Sequence, residues 1–259
     1  MDSKLGRHRD VDRLSPLNSD KRNFVRTSRM DAPLSRIRLD KLSTGSHRFW
    51  KFLVAVAVGA IFVACCYFWI DRALAFWVHT HQSHFVARDD LNAIAGVPNP
   101  AVLVSLAMFF LLGCFQLAGR ALNRFEQVVL ASSTSVLIGE TIKDILKWVF
   151  GRPSPDIWVT SNSSAIGSQE YHFHWFHGIE PFNAFPSGHM TAVTAVIAIL
   201  WIHYPRFRPI YAVSCLTVAA GLIAFNFHFL GDVIAGALLG AMVGLLASSS
   251  LLEKNRGAL

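Results

Sequence analysis

Two histidines and one carboxylate in the second half of the chain have the spacing of a nucleophile and its neighbours. His228 and Asp232 lie four residues apart, and His189 lies about forty residues upstream, at the end of the run Phe-Pro-Ser-Gly-His. On a helix, residues i and i+4 share a face, so the Asp232 carboxylate can hold one ring nitrogen of His228 and leave the other free. This arrangement is typical of a nucleophile with an orienting group.

Four further residues can bind a phosphate group beside these histidines. Ser187 and Gly188 stand at the start of a predicted helix, where unpaired backbone N–H groups and the positive dipole end favour an anion. Ser187 can cap that helix or donate to an oxygen. Lys147 and Arg152 follow another apolar segment and can neutralise non-bridging oxygens. The whole set predicts phosphoryl-transfer chemistry.

The composition indicates a membrane protein. Of the 259 residues, 53% are hydrophobic and 16% are charged, and the mean hydropathy is +0.39. The chain is too apolar for one soluble domain and too long for a single anchor. Six stretches approach the ~20 residues that a bilayer requires. They are 50–70, 101–119, 125–146, 189–204, 210–230 and 233–251. We therefore predict an all-α bundle of about six transmembrane helices, the third being the weakest candidate.

The charge distribution predicts the orientation of the bundle. Residues 1–48 contain twelve Lys or Arg against six Asp or Glu, and every even-numbered connection between helices is basic. The positive-inside rule then places both termini in the cytoplasm. The polar composition of 1–48 predicts a disordered basic tail, followed by a six-helix membrane domain at 49–259 with an outer loop at 151–185. The three candidate segments then meet at the extracytoplasmic face.

The three motifs resemble the signature of the type 2 phosphatidic acid phosphatase superfamily. The resemblance is carried by 147–153, by 185–189 and by His228-x3-Asp232. It implies a metal-independent reaction through a phosphohistidine, with no cofactor. It also implies that His228 attacks phosphorus, that Asp232 orients His228 and that His189 protonates the leaving oxygen. The residues that it assigns to phosphate binding are Lys147, Arg152, Ser187 and Gly188.

Two positions depart from the family pattern. The family's Arg-Pro pair follows the motif lysine after six residues, where this chain has Ser154 and Pro155, so that Arg152 comes two positions early. The family also has an arginine six positions before the nucleophilic histidine, where this chain has Leu222. A missing guanidinium contact weakens transition-state stabilisation by a few kcal/mol, on the order of 10²-fold in rate. The candidates to replace it are Asn226 and the outer-loop histidines His172, His174 and His177.

The outer loop contains three histidines, His172, His174 and His177, interleaved with aromatic residues. Alternate residues of an extended segment face one way and imidazole is a common zinc ligand, but no cysteine or firm fourth ligand accompanies them. We therefore assign no metal ligand to the site. We favour a lid at the bilayer interface that contacts a lipid headgroup.

These observations favour one function and leave two alternatives open. A site between apolar helices at headgroup depth suits a phosphatase for lipid phosphates or diphosphates. The alternatives are a lipid phosphotransferase that uses the same histidine, and a lipid-phosphate-binding protein on a decayed catalytic fold. The predicted location is a bacterial inner membrane, with the site facing the periplasm. Nucleic acid is not an expected partner, because the basic tail is mixed with acids. Which lipid is used, and the oligomeric state, are left open by the sequence.

Overall fold

The computed structural model describes residues 34–82, 100–155, 171–179 and 182–257. Within these ranges the chain is helical and contains no strand, apart from an isolated bridge between Arg152 and Asn183. Two parts of the sequence-based assignment, the tail at 1–33 and the middle of the outer loop at 156–170, lie outside the described residues. The prediction of an all-α fold is confirmed.

Seven α-helices carry the described part of the chain. They are α1 (Leu34–Cys65), α2 (Asp71–Gln82), α3 (Pro100–Leu117), α4 (Arg124–Phe150), α5 (Gly188–His203), α6 (Arg208–Ala224) and α7 (Leu230–Gly257). A π-helical turn, Cys66–Ile70, joins α1 to α2 without interruption, so the described residues form six helical segments, as predicted.

The chain divides into two units, Met1–Leu53 and Val54–Leu259. The first contains the start of α1, and this helix begins at Leu34, inside the range for which the composition predicts a disordered tail. The second unit contains the rest of α1 and every other helix, and it holds the candidate site.

Four described stretches are long and apolar enough to cross a membrane: Trp50–His81, Pro100–Leu117, Pro205–Ala224 and Leu230–Leu252. The helix α5 is equally apolar but has only 16 residues. The helix α4 has 27 residues and carries Glu140, Lys143 and Asp144 near its end. Large apolar side chains such as Trp69 stay 73% exposed, which suits contact with lipid rather than water. The protein is therefore an integral membrane protein.

The helices α5 and α7 approach each other through glycines of α7. A Cβ atom at any of three glycines would overlap a main-chain oxygen of the segment 187–195, so only glycine permits this separation. The pairs are Gly236 with Ser187, Gly240 with Thr191 and Gly244 with Ala195. Because His189 lies in α5 and Asp232 in α7, this close packing fixes the two candidate motifs relative to each other.

The end of α4 is covered by the segment 171–179. Gly151 ends the helix in the left-handed conformation, with φ of 51°, and its N–H donates to Lys147. The main-chain N–H of His174 donates to the Gly151 carbonyl at 2.8 Å, and that of Phe176 donates to Val149 at 2.8 Å. This described part of the outer loop therefore lies against the helix end that carries Lys147.

The fifth predicted span is shorter than expected. The sequence indicates a helix to Leu230, but α6 ends at Ala224 and a turn follows. Asn226 in this turn has φ of 54°, and the N–H of Phe227 returns to the carbonyl of Leu222. The turn is apolar apart from Asn226 and His228, so hydropathy alone does not reveal it. It places His228 between two helices rather than on one.

Candidate active site

A cavity of about 470 Å³ lies where α4, α5 and α6 meet the turn before α7. Four of the predicted residues line it, and they come from three distant segments: Lys147, Gly188, His189 and His228. The remaining polar lining consists of Glu140, Lys143, Ser154 and Asn183, whereas α6 and the turn contribute an apolar wall of Val218, Leu222, Phe225 and Phe227. The meeting of these segments at one place is as predicted.

The two histidines face the cavity from different elements. His189 lies in the first turn of α5 and is exposed, whereas the side chain of His228 is only 12% exposed. The Nδ1 atom of His228 is buried and forms no hydrogen bond within the described part of the chain; it lies 3.8 Å from Oδ2 of Asp232. Because Nδ1 faces the carboxylate, Nε2 is the nitrogen left for chemistry.

Asp232 is fully buried and is held by the main chain. Its Oδ2 accepts the backbone N–H of Phe229 at 2.9 Å, and this bond caps the first turn of α7. Its own carbonyl accepts the N–H of Ser187 at 3.0 Å, which ties the start of α5 to the start of α7. The carboxylate is thus placed beside His228, although it does not yet make the expected hydrogen bond to the ring.

Arg152 does not line the cavity, in contrast to its expected contact with phosphate. Its guanidinium is fully buried, with Nη1 donating to Oδ1 of Asp232 at 2.6 Å and Nη2 donating to Oδ2 of Asp71 at 2.8 Å. Nη2 also donates to the hydroxyl of Tyr171 at 3.0 Å. The carboxylates of Asp71 and Asp232 thus occupy the guanidinium N–H groups that were expected to bind a phosphate.

Aromatic rings enclose the Arg152 guanidinium. Its Cζ lies 4.2 Å from the ring centre of Phe229 and between 5.1 and 5.4 Å from those of Tyr67, Tyr171 and Phe173. Burial alone would lower the pKa of Arg152, but the carboxylates of Asp232 and Asp71 raise it above its ordinary value. For Tyr171, by contrast, burial itself raises the pKa. The hydroxyl therefore keeps its proton and donates a hydrogen bond to the Tyr67 carbonyl.

The two lysines of the cavity differ in their pairing. Nζ of Lys143 lies 2.6 Å from Glu140 and 2.9 Å from Asp144. Among the side chains that the structure describes, no carboxylate lies within 4.0 Å of Nζ of Lys147. Lys147 is therefore the lysine of the cavity that is available to a bound anion.

The start of α5 presents unpaired donors. Ser187 precedes the helix, but its side chain makes no capping hydrogen bond, and its buried Oγ has no hydrogen-bond partner among the described residues. At Gly188, a Cβ atom would come within 3.0 Å of the Lys143 side chain, so glycine lets this lysine lie against the helix start. The hydroxyl and the first N–H groups of α5 are thus free to meet an anion.

The expected replacements for the arginine that is missing at Leu222 do not line the cavity. The side-chain amide of Asn226 donates to the Ala75 carbonyl at 3.3 Å and does not line the cavity. His172 is exposed outside the cavity, and the His174 ring packs on Phe182 with centres 4.3 Å apart. The two family arginine positions, Ser154 and Leu222, do line the cavity, so the structure places both substitutions where they alter the anion site directly.

One residue of the site is absent from every sequence motif. Asp71 is 1% exposed and contacts both Arg152 and the backbone of Gly231. A carboxylate at the end of a long apolar run is costly at membrane depth and usually marks a functional or structural partner. That signal was available in the sequence, but the predicted span ends at residue 70, and Asp71 then reads as a loop residue.

The comparison with known families and relatives agrees with the three motifs. Residues 128–256 match the sequence model of the PAP2 superfamily. A lipid A 1-phosphatase of Rhizobium etli is 30% identical over 115 residues, which is 44% of this chain and 47% of the relative. A lipid A 1-phosphatase of Rhizobium johnstonii is 30% identical over 114 residues, or 44% of either chain. The matched region thus spans less than half the length of these curated relatives.

Among solved structures, a transmembrane PAP2 type phosphatidylglycerolphosphate phosphatase from Bacillus subtilis is similar, with a TM-score of 0.43 and 16% sequence identity. The similarity covers 79% of this chain and 97% of that one.

Proposed function

The chain belongs to the PAP2 superfamily through residues 128–256, and we propose that it hydrolyses phosphate or diphosphate esters of lipids. The observation that carries this proposal is that His189 and His228 face one cavity together with Lys147 and the start of α5. A nucleophile, a proton donor and an anion site in one place are what phosphoryl transfer requires.

In the first step, Nε2 of His228 attacks phosphorus and the bond from phosphorus to the leaving oxygen breaks. The electron pair of that bond goes to the leaving oxygen, which takes a proton from the imidazolium of His189. The products are the released alcohol or phosphate and a phosphohistidine on His228. The positive charge of the phosphorylated ring then faces Asp232 through Nδ1.

In the second step, water attacks phosphorus while neutral His189 takes its proton. The bond from phosphorus to Nε2 breaks, its electron pair returns to the His228 ring, and inorganic phosphate leaves. His189 ends this step protonated, ready to serve as the acid of the next cycle. In this cycle His228 and His189 carry out both steps, and no cofactor takes part.

The non-bridging oxygens are bound by the remaining donors of the cavity. Lys147 supplies a positive charge that no described carboxylate neutralises within 4.0 Å. Ser187 Oγ and the first N–H groups of α5, including that of Gly188, supply hydrogen bonds and the positive end of the helix dipole. Arg152 acts on Asp232 rather than on the substrate.

The position of the cavity supports an amphiphilic substrate. It lies at the ends of apolar helices and has an apolar wall on α6, so a phosphate at headgroup depth can enter while its alkyl part stays among the helices or in lipid. The names of the two curated relatives, both lipid A 1-phosphatases, favour the same class. With the termini in the cytoplasm, the site would open to the periplasm of a bacterial inner membrane.

Two alternative functions are kept because of Ser154 and Leu222. Both line the cavity at positions where the family pattern has arginines, so the anion site has fewer guanidinium groups to stabilise the transition state. A phosphotransferase would pass the same phosphohistidine to a second lipid, and a decayed enzyme would bind lipid phosphates without turnover.

The test is phosphate release by detergent-purified protein from a panel of lipid phosphates and diphosphates, with chelator present. Release by wild type, but by neither His228→Ala nor His189→Ala, supports the phosphatase. Turnover that appears only after a second lipid is added points to the transferase. Binding of lipid phosphate without turnover under both conditions rejects the enzymatic proposal.

A further inference from the structure

Asp71 connects α2 to the residues around His228. Its Oδ2 accepts a hydrogen bond from Nη2 of Arg152 at 2.8 Å, and its Oδ1 accepts the backbone N–H of Gly231 at 2.9 Å. Gly231 directly precedes Asp232 in the chain. Asp71 therefore holds Asp232 in two ways, through the side chain of Arg152 and through the main chain at the start of α7.

The three charged groups form one buried cluster. Arg152 donates to Asp71 and to Asp232, and all three side chains are 0% exposed. Water therefore screens their charges weakly. Two carboxylates and one guanidinium leave one net negative charge, whereas Arg152 and Asp232 alone would cancel.

The remaining negative charge of the cluster can stabilise His228 during phosphoryl transfer. When Nε2 of His228 is bonded to phosphorus, the ring carries a positive charge and Nδ1 faces Asp232. The other charged or titratable groups that face His228 across the cavity are Glu140, Lys143, Lys147 and His189. Since two of these are lysines, a carboxylate that is not cancelled by Arg152 is needed to stabilise the positive ring.

We propose that Asp71 is a positioning residue of the His228–Asp232 pair: it shares the charge of Arg152 and anchors Gly231, so that Asp232 remains an effective anion toward His228. The inference rests on the proposed phosphohistidine reaction. A purely structural Asp71 predicts less folded protein with unchanged catalytic constants. A positioning Asp71 predicts a lower kcat at nearly constant KM, because Lys147 and the start of α5 still bind the phosphate.

The experiment uses detergent-purified full-length protein and a lipid phosphate that the wild type hydrolyses. Asp71→Asn removes the charge and keeps a hydrogen-bond acceptor, and we expect kcat to fall about 30-fold with KM within about twofold. Adding Arg152→Gln to Asp71→Asn restores one net negative charge and should recover kcat at least about fivefold over the single variant. Tyr171→Phe removes another contact of Arg152 without a change of charge, and as the matched control it should keep kcat within about threefold of wild type.

The kinetic outcomes decide between the two roles. Wild-type kcat in Asp71→Asn, or a double variant no faster than the single one, overturns the proposal. If Asp71→Asn does not elute as monodisperse protein, Asp71→Glu replaces it. That variant keeps the charge but displaces it by one methylene, so a reduced kcat at constant KM is expected, and an unchanged kcat contradicts the proposal.

Ion binding separates this inference from the proposed function. Orthovanadate adopts the five-coordinate geometry of phosphoryl transfer and bonds to a histidine nitrogen, whereas inorganic phosphate occupies only the anion site. By calorimetry, Asp71→Asn should weaken vanadate binding at least about 10-fold and phosphate binding less than about twofold. If the variant binds both ions equally more weakly, or binds both as tightly as wild type does, the proposed role of Asp71 is overturned. If the wild type binds vanadate through His228 but hydrolyses no lipid phosphate, only the proposed function is overturned. If the wild type binds no vanadate, the proposed function and the role of Asp71 are both overturned.

Discussion

Oδ2 of Asp232 and Nδ1 of His228 are 3.8 Å apart, about 1 Å longer than a hydrogen bond. Because the same Oδ2 accepts the N–H of Phe229, the carboxylate is fixed by the main chain, and the imidazole ring is the partner that can turn. Positive charge on the ring favours this turn. The contact is therefore expected to tighten as the phosphohistidine forms, rather than to exist beforehand.

A substrate with a good leaving group should distinguish the roles assigned to His189 and His228. An aryl phosphate leaves without a proton, so His189→Ala should still form the phosphohistidine but hydrolyse it about 100-fold more slowly than wild type. Radiolabelled phosphate should then stay on the protein after an alkaline quench. His228→Ala should carry no label, and label on that variant would place the nucleophile elsewhere.

The two lysines of the cavity should respond unequally to loss of charge. Lys147 has no described carboxylate within 4.0 Å, whereas Lys143 is paired with Glu140 and Asp144. We expect Lys147→Met to lower kcat/KM about 100-fold, and Lys143→Met to lower it about 10-fold or less. Steady-state kinetics on one lipid phosphate gives both values. If kcat/KM fell more in Lys143→Met than in Lys147→Met, Lys143 would be the main anion-binding lysine instead.

Restoring a family arginine should strengthen the anion site. Ser154 lines the cavity at the position where the family pattern has arginine, so Ser154→Arg adds a guanidinium near the site of the phosphate. We expect inorganic phosphate to bind about 10-fold more tightly, as measured by calorimetry. Ser154→Gln, which has a long polar side chain without charge, is the control. Equal affinity in both variants would show that the guanidinium does not reach the anion.

The glycines of α7 can be tested through stability. A Cβ atom at Gly240 would overlap the main-chain oxygen of Thr191, whereas one at Gly113 in α3 meets no atom within 4 Å. Gly240→Ala should lower Tm by several degrees or prevent purification. Gly113→Ala should leave the free energy of unfolding unchanged or raise it by about 0.5–1 kcal/mol, so its Tm should not fall. Thermal unfolding in detergent provides the comparison, and a wild-type Tm in Gly240→Ala would mean that α5 and α7 can move apart freely.

The helices and the meeting of the three motifs follow from simple properties of the sequence. Apolar runs of nearly bilayer length predict the segments, and alternating basic connections predict which helix ends share a face. The boundary at Ala224 could not be predicted in this way, because Phe225, Phe227 and Phe229 continue the apolar run through the turn. Local backbone geometry ends the helix there, and hydropathy does not report it.

The side-chain network was harder to predict than the cavity. Arg152 lies five positions after the motif lysine Lys147, and a guanidinium suits phosphate, but the direction of this side chain depends on Asp71, which lies 81 residues away. Contacts between segments that are distant in sequence are set by helix packing, and no local pattern encodes them. The unpaired hydroxyl of Ser187 is a similar case, since the residue type predicts a helix cap that the structure does not contain.

The apolar wall of the cavity bears on how a reaction there would end. One face of α6 lines the cavity with Val218 and Leu222, while Val213 and Leu216 on the same helix are exposed to the surroundings of the bundle. After hydrolysis of a lipid phosphate, the alcohol would rejoin the leaflet sideways and the phosphate ion would enter the aqueous phase. Reversal would require both products to return from different phases, so dilution into two compartments would keep the reaction moving forward.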